Sequence, residues 1–354
     1  MLRLTMIVLI LMTLSVLTFA GEDQTPPYTI EGRVYFDYIR AVSTEGPRTD
    51  GQANEFRFRR AYFTFEKELN ETFKIRFRTD VDNPDGLTKV SFDSASQSVS
   101  AANTDGKLRP FVKHLYLQWK NLLPESKLYI GMAATPTKEI SEFYWGYRSI
   151  AKSMIDNFKD VTGSDIDATS ADLGVALMGN FSENAGYHFM VANGSHYSKP
   201  ENDHLKKGLL SIYLKPASDF IIEVYGDYEP QNKNQTYSTY KFLSAYQKDA
   251  FTAGAEYMLR NEEKANSSGG DLTRNGLSVF ARYKKTDLGF FARFDRYDPD
   301  SDTDDDETNL VMLGLDYTPH KNVNVMPNIW YYMNGDKVGK EADIFAVLTF
   351  QYKF

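Results

Sequence analysis

Ala346-Val347-Leu348-Thr349-Phe350-Gln351-Tyr352-Lys353-Phe354, where the chain ends, alternates apolar with polar side chains and closes on an aromatic residue. Period-two alternation sends successive side chains to opposite faces of an extended strand. One face of the last strand carries Ile344, Ala346, Leu348, Phe350, Tyr352 and Phe354, and the other carries Thr349, Gln351 and Lys353. Such a strand separates an apolar medium from a wet one.

The same test applies near the other end. In Phe73 to Val81, the residues Phe73, Ile75, Phe77 and Val81 share one face, and Lys74, Arg76, Arg78 and Asp80 share the other. The preceding run sets Arg60, Tyr62, Thr64 and Glu66 against Ala61, Phe63 and Phe65. A soluble β-sandwich also alternates, burying the apolar face and exposing the charged one. Composition favours a membrane barrel. The chain has 24 Phe and 23 Tyr, making it 14% aromatic, yet its mean hydropathy is −0.45. Half of each barrel strand faces a watery lumen, which reconciles the two figures. Strands in lipid cannot leave backbone groups unpaired, so the sheet must close.

Met1 to Ala20 has one charged residue (Arg3), an apolar stretch from Leu4 to Leu17, and Thr18-Phe19-Ala20 before Gly21. That layout predicts a signal peptide over 1–20, cleaved after Ala20, and a single barrel domain over 21–354. A membrane anchor is the alternative, but the stretch is short and lacks a basic flank after it. Losing Arg3 makes the formal charge of −8 one unit more negative. Cysteine is absent, which excludes disulfide staples and thiolate metal sites. The acidic balance and the lack of a basic module argue against a nucleic-acid partner.

Between the ends, extended runs are separated alternately by short and long connections. Short ones fall at Glu68–Thr72, Asn121–Ser126, Ser182–Gly186, Pro216–Asp219, Gln247–Ala250, Lys285–Asp287 and Pro319–Asn322. Long ones fall at Ala41–Asn54, Asp82–Lys107, Ala134–Ser170, Gly194–Lys206, Pro230–Thr239, Asn261–Arg274, Asp298–Glu307 and Asn334–Glu341. This rhythm predicts an all-β, antiparallel up-and-down transmembrane barrel of about sixteen strands, both termini on the short-turn side. The last strand would pair with a first strand near Tyr28 to Arg40.

The third long connection has its own pattern. Ile140, Phe143, Tyr147, Ile150, Met154 and Phe158 recur at helical spacing, with Lys138, Glu139, Glu142, Arg148, Lys152, Asp156 and Lys159 between them. One face could pack on the inner wall while the other lines a pore. Gly131-Met132-Ala133-Ala134-Thr135-Pro136 and Arg148-Ser149-Ile150-Ala151-Lys152-Ser153 resemble the start of the constriction loop of phosphate-selective porins of the O and P type. Gly32-Arg33-Val34-Tyr35, Phe58-Arg59-Arg60-Ala61 and Val191-Ala192-Asn193-Gly194 are similar as well. The terminal Phe354 also resembles the end of outer-membrane barrels, which their assembly machinery reads.

The resemblance implies a sixteen-stranded homotrimer in the cell outer membrane, surrounded by lipid and lipopolysaccharide, with its third loop folded into the lumen. It implies a diffusion channel for small hydrophilic solutes and inorganic ions, with a phosphate or polyphosphate channel as the narrower alternative. One departure counts against phosphate: the seventh long loop reads Asp298-Pro299-Asp300-Ser301-Asp302-Thr303-Asp304-Asp305-Asp306-Glu307.

Selectivity in a water-filled pore follows from its narrowest width and the charges that line it. The expected constriction residues are Arg33, Arg60, Arg76, Arg78, Asp80, His114, Lys120, Lys138, Glu139, Glu142, Arg148, Lys152 and Asp156. Pairing through the Glu68–Thr72 turn sets Arg60 opposite Asp80, leaving Arg76 and Arg78 freest to attract anions. These arginines could equally pair with acids and hold the loop. Asp300, Asp302 and Asp304 give a weak calcium pattern without the glycine an EF-hand needs. No catalytic set or cofactor motif is present; His114, His188, His196, His204 and His320 are scattered. A non-conducting adhesion barrel remains, though an inward loop makes less sense in one.

Overall fold

Strands that face lipid on one side and water on the other must pair along both edges, and sixteen of them do so in a closed circuit. The computed structural model describes residues 28–354 apart from 45–53, 83–87, 94–97, 104–107, 158–168, 198–199, 202, 267–268 and 340. The expected leader at 1–20, Phe158 and Lys159 lie outside the described residues.

The strands are β1 (Tyr28–Thr44), β2 (Asn54–Glu68), β3 (Phe73–Asp82), β4 (Thr88–Asp93), β5 (Ser98–Asn103), β6 (Phe111–Lys120), β7 (Ser126–Ala134), β8 (Ala171–Ser182) and β9 (Ala185–Ala192). They continue as β10 (Lys207–Ala217), β11 (Phe220–Asn232), β12 (Gln235–Lys248), β13 (Phe251–Glu262), β14 (Leu272–Lys285), β15 (Leu288–Asp298), β16 (Thr308–His320), β17 (Val323–Asn334) and β18 (Asp343–Lys353). β4 and β5 pair only with each other, in the second long connection; the other strands form the barrel. Among the described residues of the third lie two helices, α1 (Glu139–Trp145) and α2 (Met154–Asn157).

β18 pairs with β1 from Arg33↔Lys353 to Thr44↔Asp343, closing the sheet. Phe36 stacks on Phe350 across this seam, with ring centroids 4.6 Å apart. Gly32 and Phe354 exchange both backbone hydrogen bonds, at 2.8 and 3.1 Å. A Cβ at Gly32 would fall inside the Phe354 ring, so glycine there lets the terminal aromatic lie across the strand.

Short connections are tight hairpins. Asp249 and Thr286 start two-residue turns with φ of 50° and 54°, the left-handed region such turns need. One long connection is not a loop. The Pro230–Thr239 segment is strand on both sides of a turn at Lys233–Asn234, because its polar side chains extend the ladder beyond the apolar band. Asn232 Nδ2–H donates to Gln235 Oε1 at 2.8 Å, and the backbone N–H of Asn234 donates to Asn232 Oδ1 at 2.9 Å.

The outer surface is apolar around the circuit: Leu115, Ile130, Phe189, Val224, Phe242, Phe290, Leu313 and Ile329 are all exposed. Tyr246, Tyr283, Tyr317 and Tyr352 ring the short-turn end, as interfacial aromatics do in outer-membrane barrels.

Candidate functional site: the constriction

The third long connection turns into the barrel and divides its lumen. Helix α1 ends at Gly146, whose φ of 74° is left-handed and whose N–H donates to Glu142 O at 2.9 Å. A Cβ there would also press on the Arg282 guanidinium at 2.9 Å. The expected helical stripe is therefore cut after one segment, and Phe143 is exposed rather than packed. Tyr144 and Trp145 take its place, and Tyr147, Ile150 and Met154 pack as the spacing suggested. Together with Ile155 they form one apolar core with Met190, Leu209, Leu243, Met258, Phe280, Phe291, Leu310 and Met312 of the wall.

Wall cations then tie down the loop backbone. Arg59 donates to Ile150 O at 2.8 Å, Arg282 to Tyr144 O at 3.0 Å, Arg293 to Lys152 O at 2.7 Å and Lys241 to Thr137 O at 2.6 Å. Lys241 also pairs with Glu223 at 2.8 Å, both fully buried, while Ser141 hydrogen-bonds Glu256. Hydrogen bonds to charged groups are among the stronger ones, and these reach the loop from several strands.

The other half of the lumen holds a cavity of about 590 Å³. Of the expected residues, Arg33, Arg76, Arg78, His114, Lys138, Glu139, Glu142 and Arg148 line it. Arg60, Asp80 and Asp156 lie buried behind it. Lys152 is close enough to help hold the Asp156 carboxylate charged. Lys120 is elsewhere: it ends β6 at the short-turn side, 2.5 Å from Glu68.

Two expectations about pairing change. Arg60 is opposite Asp82, and Tyr62 is opposite Asp80, because the turn takes up two more residues than the expected pairing assumed, with Glu68 facing Lys74. Asp80 still compensates Arg60, diagonally, at 3.4 Å, and also takes Lys113 at 2.9 Å. Arg76 is not free, since Glu66 lies 3.0 Å away. Arg78 bonds the Thr64 hydroxyl, at 2.7 Å, and it has no carboxylate in ion-pair range among the described residues. The loop's own charges are largely satisfied. Arg148 pairs with Glu142 and, at 2.8 Å, with Asp156, which Lys138 also approaches at 3.7 Å. Burial alone would raise the Asp156 carboxyl, but Lys138, Lys152 and Arg148 together hold it well below the usual range. Burial, then Arg148, pushes the Lys138 ammonium down to about 8.

The expected constriction leaves out Lys113, Tyr116, Tyr129 and His188, and also Tyr62 and Lys353, whose alternation already set them on the inward face; all six line the cavity. Arg59 also acts inward: its Nε is 2.6 Å from Asp37. Register shifts explain two of these, one opposite Tyr35/Phe36 and one after Arg78. Each adds a residue to one strand, so the adjacent pairs Arg59/Arg60 and Lys113/His114 both reach the lumen, which strict alternation forbids.

The acidic seventh loop is held in part by hydrogen bonds within itself. Asp300 accepts from the Asp302 N–H at 3.2 Å and the Thr303 hydroxyl at 3.1 Å, using its carboxylate to shape the turn. Among the described residues, no three acidic or histidine side chains converge as metal ligands.

A family model for Gram-negative porins matches residues 10–337. No curated protein matches the sequence. Solved structures with the same fold include the anion-selective porin from Comamonas acidovorans, at 12% identity, covering 92% of this chain and 99% of that one with a TM-score of 0.67. OprB of Pseudomonas putida aligns at 10% identity over 93% and 94% of the two chains, TM-score 0.65. Outer-membrane expressed OmpT of Vibrio cholerae aligns at 12% over 94% and 100%, TM-score 0.59. The chain belongs to the Gram-negative porin family, and its barrel is an outer-membrane channel through which small hydrophilic solutes diffuse passively.

Proposed function

We propose that the channel prefers anions and that the cationic wall beside the third loop sets this preference. One observation carries the reading: seven Arg and Lys side chains line the cavity against three Glu. Arg33, Arg78 and Lys353 have no carboxylate within ion-pair distance among the described residues. Uncompensated charge facing a low-dielectric constriction raises the local concentration of the opposite ion. The similarity to the phosphate-selective O and P type extends the proposal to oxyanions. The anion-selective Comamonas acidovorans porin has the same fold.

Three further points belong to this reading. The chain is exported on its first 20 residues and cleaved after Ala20. It is inserted by recognition of Phe354 and settles among lipid and lipopolysaccharide. It assembles as a homotrimer; the fold-related OmpT of Vibrio cholerae has a solved structure in trimer form.

The test is the reversal potential of the purified channel in a potassium chloride gradient. Wild type should reverse on the chloride side, and Arg33→Ser with Arg78→Ser should move the potential toward potassium. A wild-type channel that reverses on the potassium side sinks the proposal.

A further inference from the structure

The anions a porin passes differ in their bodies as well as their charge, and two surfaces meet in this cavity. The first is cationic. Arg33 and Lys353 are direct cross-strand partners, both without a carboxylate partner among the described residues. Like charges directly opposite each other destabilise a sheet unless something between them carries the opposite sign. Two strands away, Arg78 faces His114 across the β3–β6 ladder. His114 is only 7% exposed, lines the cavity, and its Nδ1 makes no hydrogen bond within the protein.

The second surface is aromatic and apolar. Arg76 is the cross-strand partner of Tyr116, whose ring meets Tyr129 edge-on, with centroids 5.1 Å apart. Tyr129, Ala133 and Met178 continue this surface around the wall. A compact inorganic ion uses only the first surface. A ligand with a charged end and a flat apolar body uses both: a carboxylate accepts from guanidinium and imidazole N–H groups, and a ring packs against tyrosine.

Resting on the anion preference above, we propose that this constriction holds a binding site for aromatic monocarboxylates. The carboxylate lies between Arg78, His114 and Arg33, and the ring lies against Tyr116 and Tyr129. The cavity volume of about 590 Å³ admits such a molecule with room for water beside it.

The test is block of chloride current through single wild-type channels by benzoate, cyclohexanecarboxylate, acetate and inorganic phosphate. Benzoate should interrupt the current at a concentration about tenfold below that needed for acetate, with cyclohexanecarboxylate between them. Tyr116→Leu with Tyr129→Leu should weaken the benzoate block about fivefold, and Arg78→Ser about tenfold. Equal block by benzoate and acetate, or stronger block by phosphate than by benzoate, overturns the proposal. The wild-type series stands even if a variant fails to insert. The potassium chloride reversal potential, recorded on the same channels, separates the two levels. A potassium-side value overturns the anion reading, whereas a chloride-side value without benzoate discrimination overturns only the aromatic site.

Discussion

The lumen has two halves made from the same alternating strands, and their inward positions differ in how much apolar surface they carry. On β1–β3 and β6 the inward residues include Arg33, Tyr62, Arg76, Arg78 and His114. On β9–β16 they include Met190, Leu209, Leu243, Met258, Leu310 and Met312, each at most 3% exposed. The outer face of those strands is apolar too, with Phe189, Phe242, Tyr257 and Leu313 toward lipid. Under the third loop the inward face is therefore mixed, with apolar side chains set beside buried charged ones such as Glu223, Lys241, Glu256 and Arg293, rather than polar throughout as a water-facing wall is. Under the loop, the barrel wall is one side of a protein core. On the proposed reading the halves also differ in what they control, with the packed half fixing the width of the passage and the open half its charge.

The largest test breaks the packed half. Trp145 is 1% exposed, meets Phe280 and Phe291 edge-on, and donates its indole N–H to Ala151 O at 2.9 Å. Trp145→Ala removes the largest side chain in that core and should cost about 3 to 5 kcal/mol. The thermal unfolding midpoint should fall, and single-channel conductance should rise and become noisy as the loop loosens. Unchanged conductance with a lowered midpoint would mean that the charged straps alone hold the loop. The contrast would then need redrawing around Lys241, Arg282 and Arg293.

Much of this division was readable in the chain and much was not. The seam strand, the sixteen-strand circuit and the alternation of Phe73 to Val81 follow from local period and turn spacing, so they survive intact. The inward course of the third loop was legible because Tyr147, Ile150 and Met154 kept an apolar spacing no exposed loop needs. Its break at Gly146 was less so, since a glycine can sit in a helix at modest cost. The doubled basic pairs were invisible: a bulge changes which neighbours share a face, and nothing in Arg59-Arg60 or Lys113-His114 marks one. Ion pairing was partly hidden for the same reason, because a two-residue change of register moves every cross-strand partner.

A smaller effect concerns the rim above the packed half, where the seventh loop joins β15 to β16. Burial, then Asp298, Asp300 and Glu307, push the Asp306 carboxyl up to about 6, and its Oδ1 makes no hydrogen bond within the protein. A carboxyl whose folded pKa exceeds its unfolded value, about 3.9, holds its proton more tightly in the folded loop. The loop is therefore most stable below about pH 4 and loses stability as pH rises through about 6. Solvent around the loop keeps the effect below about 1 kcal/mol. Amide exchange over 300–307, corrected for intrinsic rates, should quicken from pH 4 to pH 7 in wild type and be flat in Asp306→Asn. A pH dependence that persists in Asp306→Asn would assign it to another carboxylate, and one spread to the open half would blur the division.

The smallest effect is the sharpest control on the open half. Lys120 and Arg78 are both inward basic residues on paired strands, but Lys120 lies six residues beyond His114 along β6, about 20 Å at the rise of a strand. It is neutralised by Glu68 at 2.5 Å, with both side chains substantially exposed. At 0.1 M salt the screening length is about 10 Å, so its field scarcely reaches the constriction. Lys120→Ser should change stability by less than about 1 kcal/mol and leave the reversal potential where it was. Arg78→Ser, made in the same background, should move it toward potassium. If the two substitutions moved it equally, selectivity would follow the summed charge of the lumen rather than the narrow cationic wall, and the geometry of the constriction would matter only for size.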